Sequence, residues 1–462
     1  MSFSGRFERV FRALIPGPFS LAVALTFGVL TAAVTGFVPP EETLPSHGQR
    51  ILRSWYFGLW DPPMLVFAFQ MMLILVLGHV LALSRPADKL MRRFTARASN
   101  TASAAALVCA VCVVLGFLNW GLALIFGAVL ARKIAEASAA EGRKLNYPLI
   151  AAAGYTGMMV WHGGLSGSAL IKASEPGHLT ALTAGSTRIQ AALIPAEIPL
   201  SETVFSPMNL AVSAALLTVL PAIGYLAGKR RTGAIPEVTP INLSLDIRAP
   251  EGLAEKTEHH YLPAFLLGAL ALITAALLGF SKGDSGSYGG PDFINLIFLG
   301  LGLTAHGSLH RFAAAVRSAV TGTAGILIQF PLYFGIMAVL KSSGMGAAIS
   351  DFFVAVSTPG TYRILTFFSA GFINILVPSG GGQWMIQGPI IIDASQKMGL
   401  ALPQSILAMA YGDQITNMLQ PFWALPLLGI TGLKARDILP YTLYFMAGGI
   451  AIFITALIIF RA

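Results

Sequence analysis

The sequence predicts an all-α polytopic membrane protein made of inverted repeats, each with a re-entrant hairpin and an interrupted helix, about 9 spans plus 2 hairpins. Composition, the spacing of apolar runs and two polar breaks inside apolar regions predict it. Of 462 residues, 55% are hydrophobic and 11% charged, against about 25% charged in soluble domains. Mean hydropathy is +0.71, and no stretch of ordinary soluble composition is long enough for a separate domain. These residues suit lipid as their solvent. The formal charge of +9 does not indicate nucleic acid. Lys and Arg fall between apolar runs, where they mark cytoplasmic loops.

The elements follow in order. Arg6, Arg9 and Arg12 precede the apolar run 19–38, which has no obvious small-residue cleavage site and reads as a retained first helix. Runs 62–83, 148–173, 208–228, 261–280, 322–340, 404–429 and 440–460 are also long enough to span, and 292–305 is a shorter span. Region 101–130 is interrupted by Asn119-Trp120-Gly121, and region 362–400 by Pro378-Ser379-Gly380-Gly381-Gly382. A plain span needs no such break, whereas a hairpin that enters the bilayer and returns does.

Loop charge supports this. With the N-terminus inside and both hairpins re-entrant, segments 1–18, 84–100, 131–147, 229–260, 306–321 and 430–439 are cytoplasmic and hold 21 of the 30 Lys and Arg. The basic loops 84–100 and 131–147 must share a side, which a single span between them would forbid. The expected halves are 1–228 and 261–462, joined by a cytoplasmic linker, 229–260. Phe117-Leu118-Asn119 resembles Phe372-Ile373-Asn374, and Tyr155 and Tyr411 follow those asparagines by 36 and 37 residues. In this topology the first hairpin opens to the cytoplasm and the second to the outside, so the halves are inverted, as in secondary carriers.

Three polar clusters fall at membrane depth. In Val377-Pro378-Ser379-Gly380-Gly381-Gly382-Gln383-Trp384, Pro378 stops a helix and the glycines admit a tight turn. Helix N-termini there would offer free N–H groups to an anion, with Ser379 and Gln383 as further donors. Tyr155-Thr156-Gly157 and Trp161-His162-Gly163-Gly164-Leu165-Ser166-Gly167-Ser168 interrupt 148–173. His162 could carry a proton or donate to an anion. Gly164-Leu165-Ser166-Gly167-Ser168 is not a hydrolase elbow, because Ser168 replaces the last glycine and no strand precedes it. Tyr411-Gly412-Asp413-Gln414-Ile415-Thr416-Asn417 holds the acid most convincingly at mid-membrane. Asp413 could bind sodium with Asn417 and backbone carbonyls, or carry a proton.

The remaining features read as structural. Cys109 and Cys112 are two small buried hydrophobes. His79 and His306 sit near span ends and read as interfacial, and Asp393 with Lys397 reads as a local ion pair. There is no P-loop lysine pattern, no H-E-x-x-H and no Cys/His cluster, so neither a cofactor nor a metal enzyme is expected.

Asn119-Trp120-Gly121-Leu122, the stretch from Tyr155 to Ser168 and the stretch from Val377 to Trp384 resemble the bacterial short-chain fatty acid transporter family over nearly the whole chain. The resemblance implies uptake of acetoacetate and butyrate. It also implies a place in a larger group of ion transporters with inverted repeats and paired re-entrant hairpins. A short-chain monocarboxylate needs one anion pocket and a small apolar wall. Asn119 and Ser379 could serve the first, and Trp120, Trp161 and Trp384 the second. The expected substrate-binding set is Asn119, Trp120, Tyr155, Thr156, His162, Ser166, Asn374, Ser379, Gly380, Gly381, Gln383 and Tyr411. Asp413, Asn417 and His162 form the ion-coupling set.

No Lys or Arg lies convincingly at mid-depth, which disfavours di- and tricarboxylates. The expected protein is a proton- or sodium-coupled secondary carrier in the bacterial inner membrane. Its partners are the substrate and the bilayer, not nucleic acid, and a homodimer is left open. The alternative is a cation/proton antiporter on a similar scaffold. A lipid-directed membrane enzyme would need a nucleophile with a base, or a metal cluster, at an interface, and neither is present.

Overall fold

The computed structural model describes residues 17–184, 189–230, 233–238, 252–280 and 290–460. The three N-terminal arginines and much of the 229–260 linker lie outside the described residues. Among those described there is no strand, only an isolated bridge between Leu145 and Ala234.

The first half opens with α1 (Pro18–Gly36), α2 (Leu44–Leu59), α3 (Pro62–Ala82) and α4 (Arg85–Thr95). It continues with α5 (Thr101–Leu118), α6 (Trp120–Ala140), α7 (Tyr147–Gly154), α8 (Ser168–Ala173), α9 (His178–Leu182) and α10 (Pro207–Arg230). The second half runs α11 (Gly252–His259), α12 (Tyr261–Phe280), α13 (Pro291–His306), α14 (Leu309–Ala319) and α15 (Ala324–Ser342). Then follow α16 (Met345–Ala355), α17 (Tyr362–Leu376), α18 (Gly380–Met398), α19 (Leu402–Thr416), α20 (Pro421–Thr431) and α21 (Ala435–Ile459).

Among the described residues, seven helical runs are long and apolar enough to cross a membrane: Pro18–Gly36, Leu44–Ala82, Thr101–Leu118, Pro207–Arg230, Tyr261–Gly279, Leu309–Ser342 and Ala435–Ile459. Runs 148–173 and 404–429 are each broken into shorter helices, as the glycine and polar interruptions predict.

Each half repeats one order of elements: a helical hairpin, a broken helix, then a long helix. In the first hairpin α5 and α6 pack so tightly that a Cβ on Gly127 would lie 2.6 Å from Cys112 Sγ. Both cysteines are free and buried, as expected. In the second hairpin α17 and α18 run antiparallel. Gln383 Nε2 donates to Ala370 O (2.8 Å), Gln387 Nε2 to Ser369 Oγ (3.1 Å) and Tyr362 OH to Ile391 O (3.4 Å). Gly399, at φ 63°, ends α18, and Gly432, at φ 72°, ends α20; both need the left-handed conformation that glycine adopts freely.

Three expectations are corrected. Most of 131–147 is not a loop but the last turns of α6, where Arg132 pairs with Glu136 at 2.9 Å, one turn on. The match of Asn119 with Asn374 has the wrong register. Asn119 caps α6 at the hairpin tip, whereas Asn374 lies inside α17, and Ser379 is the residue that caps α18. His79 and His306, in the last turns of α3 and α13, are buried, and the His306 ring donates from Nε2 to Val80 O at 2.8 Å. Finally, the loops 84–100 and 306–321 contain the short helices α4 and α14. Asp393 and Lys397 do pair, at 2.7 Å.

Candidate functional site

The first broken helix opens between Tyr155 and Gly167 as two short 3-10 turns, Thr156–Met159 and Trp161–Gly163. Close packing makes the glycines necessary. A Cβ on Gly164 would lie 2.3 Å from Phe117 O, and one on Gly157 2.6 Å from Cys112 O. Freed backbone groups need partners at this depth. Leu165 N–H donates to Phe117 O (2.8 Å), and Asn209 on α10 donates from Nδ2 to Gly163 O (2.7 Å).

The second break is narrower, a single 3-10 turn at Asn417–Leu419. Asn374 braces it from α17. Its Nδ2 lies 2.7 Å from Asp413 O, 2.9 Å from Thr416 Oγ1 and 3.0 Å from Asn417 Oδ1. Thr442 Oγ1 donates to Met418 O at 2.6 Å.

The two breaks meet at a buried His–Asp pair. His162 Nδ1 is hydrogen-bonded to Asp413 Oδ2, and the two side chains are 0% and 1% exposed. Ala169 N–H donates to His162 Nε2 at 3.1 Å, so Nε2 is an acceptor and the ring's proton sits on Nδ1. In that arrangement His162 donates from Nδ1 to the Asp413 carboxyl group. Gln414 Oε1 accepts from His162 N–H (3.0 Å) and Gly163 N–H (3.4 Å), which holds the turn in place.

Both hairpin tips use the same capping device. Asn119 and Ser379 have extended backbones, at φ −157° and −155°. Asn119 Oδ1 accepts from Leu122 N–H (3.0 Å), and Ser379 Oγ from Gly382 N–H (3.2 Å). Trp120 N–H donates to Ser166 Oγ at 3.0 Å, tying the first tip to the first break. The second tip rests on the His–Asp pair. A Cβ on Gly380 would lie 2.8 Å from Trp161 Cη2, 3.0 Å from His162 Cε1 and 3.3 Å from Asp413 Oδ2. Gly381 is roomier, since its nearest such neighbour is Ser168 Oγ at 3.9 Å.

An aromatic wall flanks the pair. Trp161 stacks on His162 (4.6 Å between centroids), while Trp120 approaches Trp423 (5.1 Å) and Trp161 (6.3 Å) edge-on. Several buried polar atoms near this centre have no hydrogen-bond partner: Trp161 Nε1, Asp413 Oδ1, Asn374 Oδ1, Asn417 Nδ2 and Gln420 Oε1.

The structure thus brings together Trp120, His162, Ser166, Asn374, Gly380, Asp413 and Asn417, and joins Tyr411 to Asn209 Oδ1 at 3.0 Å. Other residues of the expected set point elsewhere. Thr156 Oγ1 donates to Ala153 O at 2.7 Å. Gln383 donates to Gln387 Oε1 at 2.7 Å, beginning a polar chain that reaches Ser350 and Ser369. Trp384, expected in the apolar wall, donates from Nε1 to His178 Nε2 at 3.0 Å, and burial pushes the His178 imidazole below its usual range.

Sequence reasoning missed Asn209, Gln414 and Trp423. Asn209 carried a signal, as a lone amide inside the apolar run 208–228. Trp423, one aromatic in an apolar run, carried none.

The family model described as "Short chain fatty acid transporter" matches residues 3–460. A protein of Escherichia coli K12 named "Putative short-chain fatty acid transporter" is 34% identical over 451 residues, covering 96% of each chain. One of the same name in Haemophilus influenzae is 35% identical over 451 residues, again covering 96% of each. Among solved structures, the YdaH transporter of Alcanivorax borkumensis overlays with a TM-score of 0.43 at 16% identity, covering 95% of this chain and 98% of that one. MtrF of Neisseria gonorrhoeae overlays at 0.40 with 17% identity, covering 97% of each. Those overlays are too loose to bear on the site. The full-length match and the two relatives decide the matter: this multi-pass membrane protein belongs to the short-chain fatty acid transporter family.

Proposed function

We propose that this transporter takes up short-chain monocarboxylates such as butyrate and acetoacetate across the bacterial inner membrane, together with a proton. The observation that carries the reading is the buried His162–Asp413 pair beneath the Gly380 tip. A carboxylate in a dry interior is costly unless compensated. A proton on the pair cancels its net charge, and that lowers the cost of bringing the substrate's own carboxylate alongside. Proton and anion then favour each other's binding, and that differential affinity is the coupling. The unpartnered Trp161 indole N–H and the backbone N–H groups at the start of α18 are the natural carboxylate donors. The rings of Trp120, Trp161 and Trp423 suit a short acyl tail. The two hairpins are re-entrant and the halves inverted in this reading. Small thiol reagents should therefore label a cysteine at Ser379 or Asn119, and substrate should protect it.

Sodium coupling is the second reading, favoured by the unpartnered buried oxygens of Asp413, Asn374 and Gln420. Labelled-butyrate uptake into proteoliposomes separates the two. An inward proton gradient should drive accumulation with sodium absent. Accumulation that follows only a sodium gradient would transfer coupling to those oxygens. Sodium/proton exchange with no butyrate movement would replace the carrier with an antiporter.

A further inference from the structure

Helix α4 begins three residues after α3 ends, so it lies where a spanning helix leaves the membrane. Its two faces differ. Met91 is buried, and Phe94 packs edge-on against Phe126 of α6 at 6.0 Å. Arg85, Lys89 and Arg93 recur every fourth residue, with Arg97 next in the series, and all four are exposed along one stripe. Arg97 donates to Arg93 O at 3.1 Å, which keeps the stripe together past the helix end.

Beneath the start of this helix an apolar groove of about 480 Å³ opens between α3, α6 and α13, walled by Leu81, Leu122, Phe126, Val129, Phe298 and Leu301. Pro86, Ala87 and Met91 of α4 form its upper edge, so basic stripe and groove share one helix. Met91 also borders a second, more polar cavity of about 720 Å³ that includes Lys133 and Arg143. The groove has the volume of a small-ligand site, yet almost no polar group to orient a small acid. An acyl chain needs none.

We infer that this groove and the stripe above it form a binding site for an anionic phospholipid. One acyl chain lies in the groove and the phosphate-bearing headgroup sits against Arg85, Lys89 and Arg93. Charge complementarity selects the occupant, because a row of exposed cations at a membrane boundary attracts negative headgroups. The site is separate from the His162–Asp413 centre and does not depend on the transport reading.

The test uses the full-length protein in detergent, exposed to equal phosphatidylglycerol and phosphatidylcholine, with retained lipid counted by native mass spectrometry. The wild-type protein should hold phosphatidylglycerol about tenfold or more in preference. The triple change Arg85→Gln, Lys89→Gln, Arg93→Gln should remove the preference. Leu301→Trp, which fills the groove, should reduce retained phospholipid of both kinds while leaving the elution volume unchanged. Should the triple variant fail to fold, the wild-type headgroup comparison and Leu301→Trp decide alone. Equal retention of both lipids, unchanged retention in Leu301→Trp, butyrate displacing the lipid, or cross-linking of two protomers through Leu301→Cys would each overturn the inference.

Discussion

The two hairpins do the same local job by different means. The first is held by the absence of side chains. Gly116 meets Gly157, Gly127 meets Gly154 and the Phe117 carbonyl meets Gly164, all at backbone distance. The second is held by amides and hydroxyls, the chain from Gln383 through Gln387 to Ser350 and Ser369. Small-residue seams let backbones close up and leave no room for adjustment. A polar chain can break and re-form with different partners. The first hairpin and its broken helix, which carries His162, are thus joined by glycine seams, whereas the Gly380 tip of the second meets the His–Asp pair through side chains. The second hairpin also packs on its own broken helix through glycine, since a Cβ on Gly412 would press on Phe367 O.

The largest effect should separate the hairpins by glycine alone. Gly127→Val places a Cβ 2.2 Å from the Gly154 carbonyl. It should cost at least the ~1–3 kcal/mol of overpacking and abolish recovery of folded protein, read by size-exclusion chromatography. Gly381→Ala, with nothing within 3.8 Å, should leave recovery unchanged. Equal tolerance at both positions would erase the contrast.

Next in size is Gly380→Ala. The added methyl presses on Trp161, His162 and Asp413 rather than on backbone. Recovery should stay near normal while butyrate uptake falls, by roughly the 10²-fold that a misplaced reacting group can cost. Lost recovery together with lost uptake would make this tip as structural as the first.

Trp423→Ala should act more gently. Removing one ring from the Trp120–Trp161–Trp423 wall should weaken butyrate by about 10–200-fold relative to longer acids such as hexanoate, which refill the space. Competition against labelled butyrate reads this, and an unchanged chain-length order would remove the wall from the substrate site. The smallest effect belongs to the caps. Asn119→Ala and Ser379→Ala should each lower thermal stability by about 1 kcal/mol. If substrate contacts Ser379 but not Asn119, only Ser379→Ala should also raise the half-saturating butyrate concentration.

Much of this was legible in the sequence because membrane insertion writes itself into composition. The long apolar runs became helices, and Pro378 to Gly382 and Gly163 to Gly167 marked where helices stop. Helices α2, α4 and α14 were not legible from apolar runs, since they alternate polar and apolar residues at helical spacing and bury one face only. The end of α6 hid for a related reason. Arg132 looks like loop charge, yet it pairs with Glu136 and donates to Ile430 O at 2.6 Å. Within the site, His162 and Asp413 stood out separately as titratable groups at membrane depth. Their meeting was invisible, because 251 residues separate them and neither motif encodes its partner. Gln414 and Trp423 became meaningful only once the two breaks were seen to face each other.

The central claim is that the His162–Asp413 pair takes up one proton for each monocarboxylate bound. The most direct test adds butyrate to purified, unbuffered protein near neutral pH and follows both heat and a pH indicator. For the wild-type protein about one proton should enter per butyrate bound, and transport in proteoliposomes should be driven by a proton gradient. Asp413→Asn keeps the hydrogen bond to His162 but lacks the charge, so it should still bind butyrate, take up no proton and fail to accumulate it. If Asp413→Asn takes up the proton as the wild-type protein does, or still concentrates butyrate against its gradient, the pair is structural and the account is wrong.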